Sequence, residues 1–180
     1  MARMNDVDIR LEWRSRVIDH EGDIDGQGGI KRYLQLCERL KLDIDYVKSC
    51  EGLLPASKFA VDAYVNFVGS RSLLEAVASS LTEIYAPAIH AERISGLSKH
   101  YDWADDYALA YFKKRIGQAR KDVEFGREWV INNAITRDDQ DAVLGAVRFK
   151  TEVLWAQLDA LYYAYVDPGF IPPGAFIPKD

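Results

Sequence analysis

A chain of 180 residues with 48% hydrophobic and 28% charged side chains is long enough and balanced enough to bury one proper core, which excludes a disordered protein. Its formal charge of −5 excludes a general nucleic-acid surface while leaving room for a local basic pocket. No apolar run reaches the roughly 18 to 20 residues of a membrane span, and the opening MARMNDVDIRLEWR has no hydrophobic signal core, so a cytoplasmic protein without membrane contact is expected. Cys37 and Cys50 lack Cys-x-x-Cys spacing and read as free thiols rather than a disulfide framework or a zinc site.

Residues 7 to 20 alternate at Val7, Ile9, Leu11 and Trp13 but continue a helical stripe through Leu11, Val17 and Ile18, and are read as helix. Glu21 to Gly29 is a glycine- and aspartate-rich loop with His20 at its mouth; no hydrophobic strand precedes it, which argues against a phosphate-binding fingerprint. Ile30, Tyr33, Leu34, Cys37 and Leu40 mark the next helix, and a short turn follows around Tyr46 to Cys50. Pro55 suits the first position of a helix that carries Phe59, Ala63, Phe67 and Val68 up to Gly69, with Tyr64 beside that stripe.

Ser72 to Arg93 is the centre of the chain. Ser72 and Glu75 form a capping box, and Leu73, Leu74, Val77, Ala78, Leu81, Tyr85, Ala88 and Ile89 give a buried helical face. Pro87 cannot donate to the carbonyl of Glu83, which predicts a kink there. A loop from Gly96 to Asp105, holding His100 and Trp103, leads to a long helix capped by Asp105 and running to about Asn132. Thr136 and Asp139 cap a last helix that Pro168 stops. With no credible sheet, the chain is an all-α bundle: one domain over 1–166, then a proline-rich tail over 167–180 that is extended or flexible.

Chemistry concentrates in the central segment. Glu83 and His90 lie close to two helical turns apart and Arg93 one turn beyond, which places them with Thr82 to line one pocket. The same residues fit a helix that ends near Pro87 and leaves a solvated polar edge, and both readings stay open. Tyr111 and Arg115 share a helix face, and Lys150 falls on the apolar stripe between Val147 and Leu154. Taken singly, such a lysine is usually a snorkelling residue and such an arginine a surface ion-pair member. Together with His20, Glu83, His90 and Arg93 they favour an anion-binding pocket. A di-iron site would need several more carboxylate or histidine ligands, which the following helices supply poorly, and haem ligation by His20 or His90 rests on a lone histidine in each case.

FAVDAYVNF (59 to 67), SSLTEIYAPAIHAER (79 to 93), HYDW (100 to 103), YFKKR (111 to 115) and RFKTEVLWAQLDA (148 to 160) resemble, in order, the pyrroloquinoline-quinone synthase family. The resemblance implies a haem-oxygenase-like bundle, a homodimer, and an oxidase without metal or organic cofactor. Such an enzyme closes a ring and oxidises a tricarboxylated bicyclic precursor with O2, releasing hydrogen peroxide. It further implies that His20 is the principal proton-transfer residue, that Arg16, Tyr64, Thr82, Glu83, Arg93 and Lys150 surround the substrate, and that His90, Tyr111 and Arg115 line an oxygen pocket.

The family pattern has two further helices ahead of the point where this chain begins, contributing a Tyr-His pair and Arg and Gln residues to the same cavity. The chain therefore reads as N-terminally shortened. Three expectations follow: a cofactor-free oxidase, a di-iron oxygenase on the same scaffold, or a non-catalytic relative that binds a quinone or a partner.

Overall fold

The computed structural model describes residues 1, 3–23 and 26–178. They form α1 (Val7–Glu21), α2 (Gly29–Arg39), α3 (Ile44–Ser49), α4 (Pro55–Ser70), α5 (Leu73–Ser79), a 3-10 helix (Ser80–Tyr85), α6 (Ala86–His100), α7 (Ala110–Asn133) and α8 (Arg137–Tyr165). No strand occurs among the described residues. The all-α class expected from the apolar periodicity is the class observed.

Helix ends follow local chemistry. Asp6 caps α1, its carboxylate accepting from the Asp8 and Ile9 amides. The Ser72–Glu75 and Thr136–Asp139 capping boxes are both fully formed, and Pro55 occupies the first turn of α4, where a missing N–H costs nothing.

The central segment is neither one kinked helix nor a helix that simply ends near Pro87: the helix breaks before Pro87 and a new one begins there. α5 ends at Ser79, six residues tighten into the 3-10 helix, and Pro87 lies in the first turn of α6. The cause is shared. Pro87 cannot supply the donor for an α-helical turn closing on Glu83, while the Ser79 and Ser80 hydroxyls donate to the carbonyls of Ala76 and Val77 at 2.8 and 2.7 Å. The loop expected from Gly96 also starts later, because α6 runs on through His100. Asp105 caps a turn ahead of α7, its carboxylate accepting from the Ala108 amide at 3.0 Å.

Two compact units result. The first comprises Met1–Ile44 and Glu83–Glu128, the second Asp45–Thr82 and Trp129–Asp180. In the first, α1 packs on α2, and Ile9, Leu109, Phe112 and Ala119 are buried. In the second, α4 and α5 both pack on α8, burying Ala60, Val77, Ala78, Ala146 and Val153. Phe67 and Phe149 stack there with ring centres 4.3 Å apart. The tail after Pro168 is irregular but docked. Ala175 packs with Leu54 and Ala164, the Phe176 amide donates to the Gly52 carbonyl at 2.9 Å, and the Tyr165 hydroxyl donates to the Phe176 carbonyl at 2.9 Å.

Candidate functional site

In the first unit, His20 stands in the last turn of α1, one residue before the helix ends and the loop to α2 begins. Two glycines let that loop fold back on it. A Cβ on Gly28 would stand 2.3 Å from both the His20 carbonyl oxygen and the Gly22 amide nitrogen, so only glycine fits that close backbone approach. A Cβ on Gly29 would stand 3.3 Å from His20 Nδ1 and 3.3 Å from a ring carbon of Tyr111, so these two side chains flank the start of α2. In the sequence His20 and Tyr111 lie in different parts of the chain; the fold brings both against one glycine.

Arg115 is only 5% exposed and Asp122, two turns further along α7, only 4%. Arg115 Nη1 lies 3.4 Å from Asp122 Oδ2, and its Nη2 lies 3.4 Å from Glu83 Oε2. Arg16 reaches the same aspartate from α1. Its Nη2 donates to the Asp122 backbone carbonyl, and its Nε sits 3.8 Å from Asp122 Oδ1 and 3.5 Å from Glu12 Oε1. Glu12, Arg16, Asp122, Arg115 and Glu83 thus form a chain of alternating charge. A buried guanidinium is tolerable only when carboxylates compensate its desolvation, and this alternation supplies them.

Tyr111 and Phe112 carry the next layer. The His90 ring meets Tyr111 edge-on at 6.1 Å and lies 5.7 Å from the Phe112 ring; Arg93 stands 5.2 Å from the centre of Phe112. Tyr33 of α2 meets Tyr111 edge-on at 5.2 Å. His90 Nδ1 is buried and has no hydrogen-bond partner among the described residues. Burial, followed by the positive charges of Arg93 and Arg115, holds the His90 pKa below the ordinary histidine value, which keeps the ring neutral near pH 7. Arg93 itself is exposed and forms no ion pair among the described residues.

The second unit holds Tyr64, Thr82 and Lys150. Lys150 Nζ sits 3.5 Å from the centre of the Tyr64 ring, a cation–π contact that keeps the ammonium half-buried. The Tyr64 hydroxyl lies 3.2 Å from Ser79 Oγ, and Ser79 spends its own proton on the Ala76 carbonyl, so Tyr64 is the donor of that pair. Thr82 lies half-buried in the 3-10 helix.

Glu12, Tyr33, Ser79, Phe112 and Asp122 were not singled out by sequence reasoning as site residues. Asp122 left a legible signal. Phe112, Arg115, Ala119 and Asp122 recur at spacings of three and four on α7 and are all buried, so opposite charges seven apart sit on an otherwise apolar stripe. Ser79 gave none, because a serine among small residues is commonplace. Among the described residues no group of three or more His, Cys, Asp or Glu side chains is placed to hold a metal ion; Glu83 pairs with Arg115 instead.

A helical protein with arginines compensated in its interior beside a neutral histidine has the equipment to bind anionic molecules and move protons near neutral pH. Residues 1–160 match the TENA/THI-4/PQQC family, and the chain belongs to that family, whose architecture is the helical haem-oxygenase-like fold. It is 58% identical over 176 residues to a pyrroloquinoline-quinone synthase of Rhizobium meliloti (strain 1021), covering 98% of this chain and 69% of that protein. Its identity to the pyrroloquinoline-quinone synthase of Granulibacter bethesdensis is 53% over 179 residues, covering 99% of this chain and 70% of the relative. That of Ruegeria pomeroyi is 53% identical over 180 residues, covering 100% and 74% respectively. Among the described residues, no helix is long and apolar enough to cross a membrane.

Proposed function

We propose that the chain is a pyrroloquinoline-quinone synthase. It closes a ring and oxidises a tricarboxylated bicyclic precursor with O2, releasing hydrogen peroxide and using no metal or organic cofactor, as a cytoplasmic homodimer. The observation that carries this reading is the linkage of His20, His90, Tyr111 and Arg115 within one compact unit. His20 and Tyr111 flank Gly29, Tyr111 meets the His90 ring, and the Arg115 charge acts on His90.

Each residue has a role that its surroundings support. A substrate with three carboxylates requires cations, and Arg16, Arg93 and Lys150 provide them through charge-assisted hydrogen bonds. Arg93 is the readiest of these, since it forms no ion pair among the described residues. Tyr64 orients Lys150 through its ring, and Thr82 and Glu83 contribute polar contacts. His20 takes a proton from the substrate and returns it, as imidazoles do in general acid–base catalysis. The reduced organic substrate supplies electrons to O2; each O2 that accepts two electrons and two protons leaves as one hydrogen peroxide. Neutral His90, the Tyr111 hydroxyl and the Arg115 guanidinium surround the developing negative charge with fixed donors, in a setting where little reorganisation is needed.

Anaerobic titration with pyrroloquinoline quinone, followed by quinone absorbance and protein fluorescence, tests the binding half of this reading. Saturable binding that weakens in a His20→Ala, Lys150→Ala variant is expected. No binding at any practical concentration contradicts it.

A further inference from the structure

We infer that Asp122 is a positioning residue shared by Arg16 and Arg115, coupling the arginine assigned to substrate to the arginine assigned to oxygen. This inference deepens the proposed function and rests on it for the roles of the two arginines. The coupling itself rests on geometry alone.

Among the described residues, Asp122 is the only acidic residue of the charge chain within ion-pair range of both arginines: Glu12 reaches Arg16, and the partly exposed Glu83 reaches Arg115. Its two carboxylate oxygens are divided, Oδ2 facing Arg115 Nη1 at 3.4 Å and Oδ1 facing Arg16 Nε at 3.8 Å, while its backbone carbonyl accepts from Arg16 Nη2. Asp122 therefore holds Arg16 by a hydrogen bond at its backbone carbonyl and by a looser ionic contact at Oδ1, Arg16 Nε having no hydrogen-bond partner among the described residues, and it faces Arg115 through Oδ2. With no ligand present, either arginine that turned away would leave Asp122 with one compensating charge instead of two. Both guanidinium groups are consequently held in place before any ligand arrives, which is the condition for electrostatic stabilisation without reorganisation. The arrangement also makes the arginines compete for one carboxylate. Whatever draws Arg16 away from Asp122 tightens Asp122 on Arg115, so a carboxylate of the substrate engaging Arg16 firms the oxygen-side arginine.

Nitrogen-15 NMR of the arginine side chains in the purified 180-residue protein reads this directly through the rate of guanidinium rotation. Asp122→Asn keeps the side-chain volume and removes the charge; rotation of Arg115 is expected to accelerate by about tenfold or more, and that of Arg16 to accelerate by less, because the backbone carbonyl of residue 122 still accepts from its Nη2. Glu12→Gln is expected to free Arg16 alone. Arg16→Gln leaves Asp122 in place and is expected to slow rotation of Arg115, a residue that Arg16 reaches only through Asp122. Acceleration of one arginine only in Asp122→Asn, or an Arg115 rate unchanged in Arg16→Gln, overturns the inference. Should Asp122→Asn fail to fold, the Arg16→Gln result still decides.

Kinetics then separate the inference from the reading beneath it. Asp122→Asn is expected to raise the apparent Kd for pyrroloquinoline quinone and to lower the rate of oxygen consumption, each by about tenfold. A folded Asp122→Asn protein that binds and turns over like the parent overturns the coupling. Absence of turnover in the parent protein contradicts the proposed function, while the guanidinium rotation rates continue to decide the coupling through Asp122.

Discussion

His20 Nδ1 lies 3.3 Å from the point at which a Cβ of Gly29 would stand, so the residue that opens α2 sets how closely His20 approaches that helix. Tyr111 presses on the same point from the other side at 3.3 Å. Gly29→Ala is expected to leave thermal stability nearly unchanged, since the alanine's helix preference of about 0.5–1 kcal/mol offsets a tight contact with movable side chains. It is expected to lower turnover about tenfold by displacing both rings. Gly28→Ala is the contrasting case: its methyl meets backbone atoms at 2.3 Å, which cannot yield, and a loss of about 1–3 kcal/mol in urea unfolding is expected.

The Tyr64–Ser79 hydrogen bond is expected to act as one unit in the second compact unit. Ser79→Ala removes the acceptor of the Tyr64 hydroxyl and is expected to cost about 1 kcal/mol. In that background Tyr64→Phe is expected to cost less than it does in the parent protein, because the shared bond is already gone. Additive losses in a double-mutant cycle followed by urea unfolding would show that the two hydroxyls do not interact.

His90 ties pH to both stability and charge. Its folded-state pKa lies below the unfolded value of about 6.5, so the unfolded chain binds the proton more readily. The stabilising contribution of the neutral ring is complete above about pH 6.5 and is lost as pH falls from there through the folded-state midpoint. An NMR titration is expected to place that midpoint below about 6.5 and to move it upward in Arg93→Gln, which removes the larger of the two charge effects after burial. A His90→Gln variant is expected to lose less stability over the same acid interval than the parent.

The helical architecture was legible because its signals are local. Capping boxes at Ser72 and Thr136, Pro55 in a first turn and apolar stripes at helical spacing each depend on neighbours within four residues. An interruption near Pro87 was one of two readings the sequence allowed, but its position between α5 and α6 was not legible, because it depends on Pro87 together with the Ser79 and Ser80 hydroxyls, which offer the chain a competing set of hydrogen bonds. Candidate site residues with unusual chemistry, such as His90 and Arg115, stood out in the sequence. Their partners did not. Asp122 is 106 residues from Arg16, and no spacing rule predicts that pairing. Gly29 read as a loop glycine, and only the folded chain shows two aromatic side chains 3.3 Å from where its Cβ would be.

Turnover in air tests the central claim most directly: the purified protein is mixed with the tricarboxylated precursor while quinone absorbance, oxygen and peroxide are followed together. The expected result is that quinone forms only when oxygen is present, that peroxide accumulates as oxygen is consumed, and that Arg115→Met slows oxygen consumption far more than it weakens anaerobic binding. Quinone formation without oxygen consumption, or a bound precursor that remains unchanged in air, would contradict it.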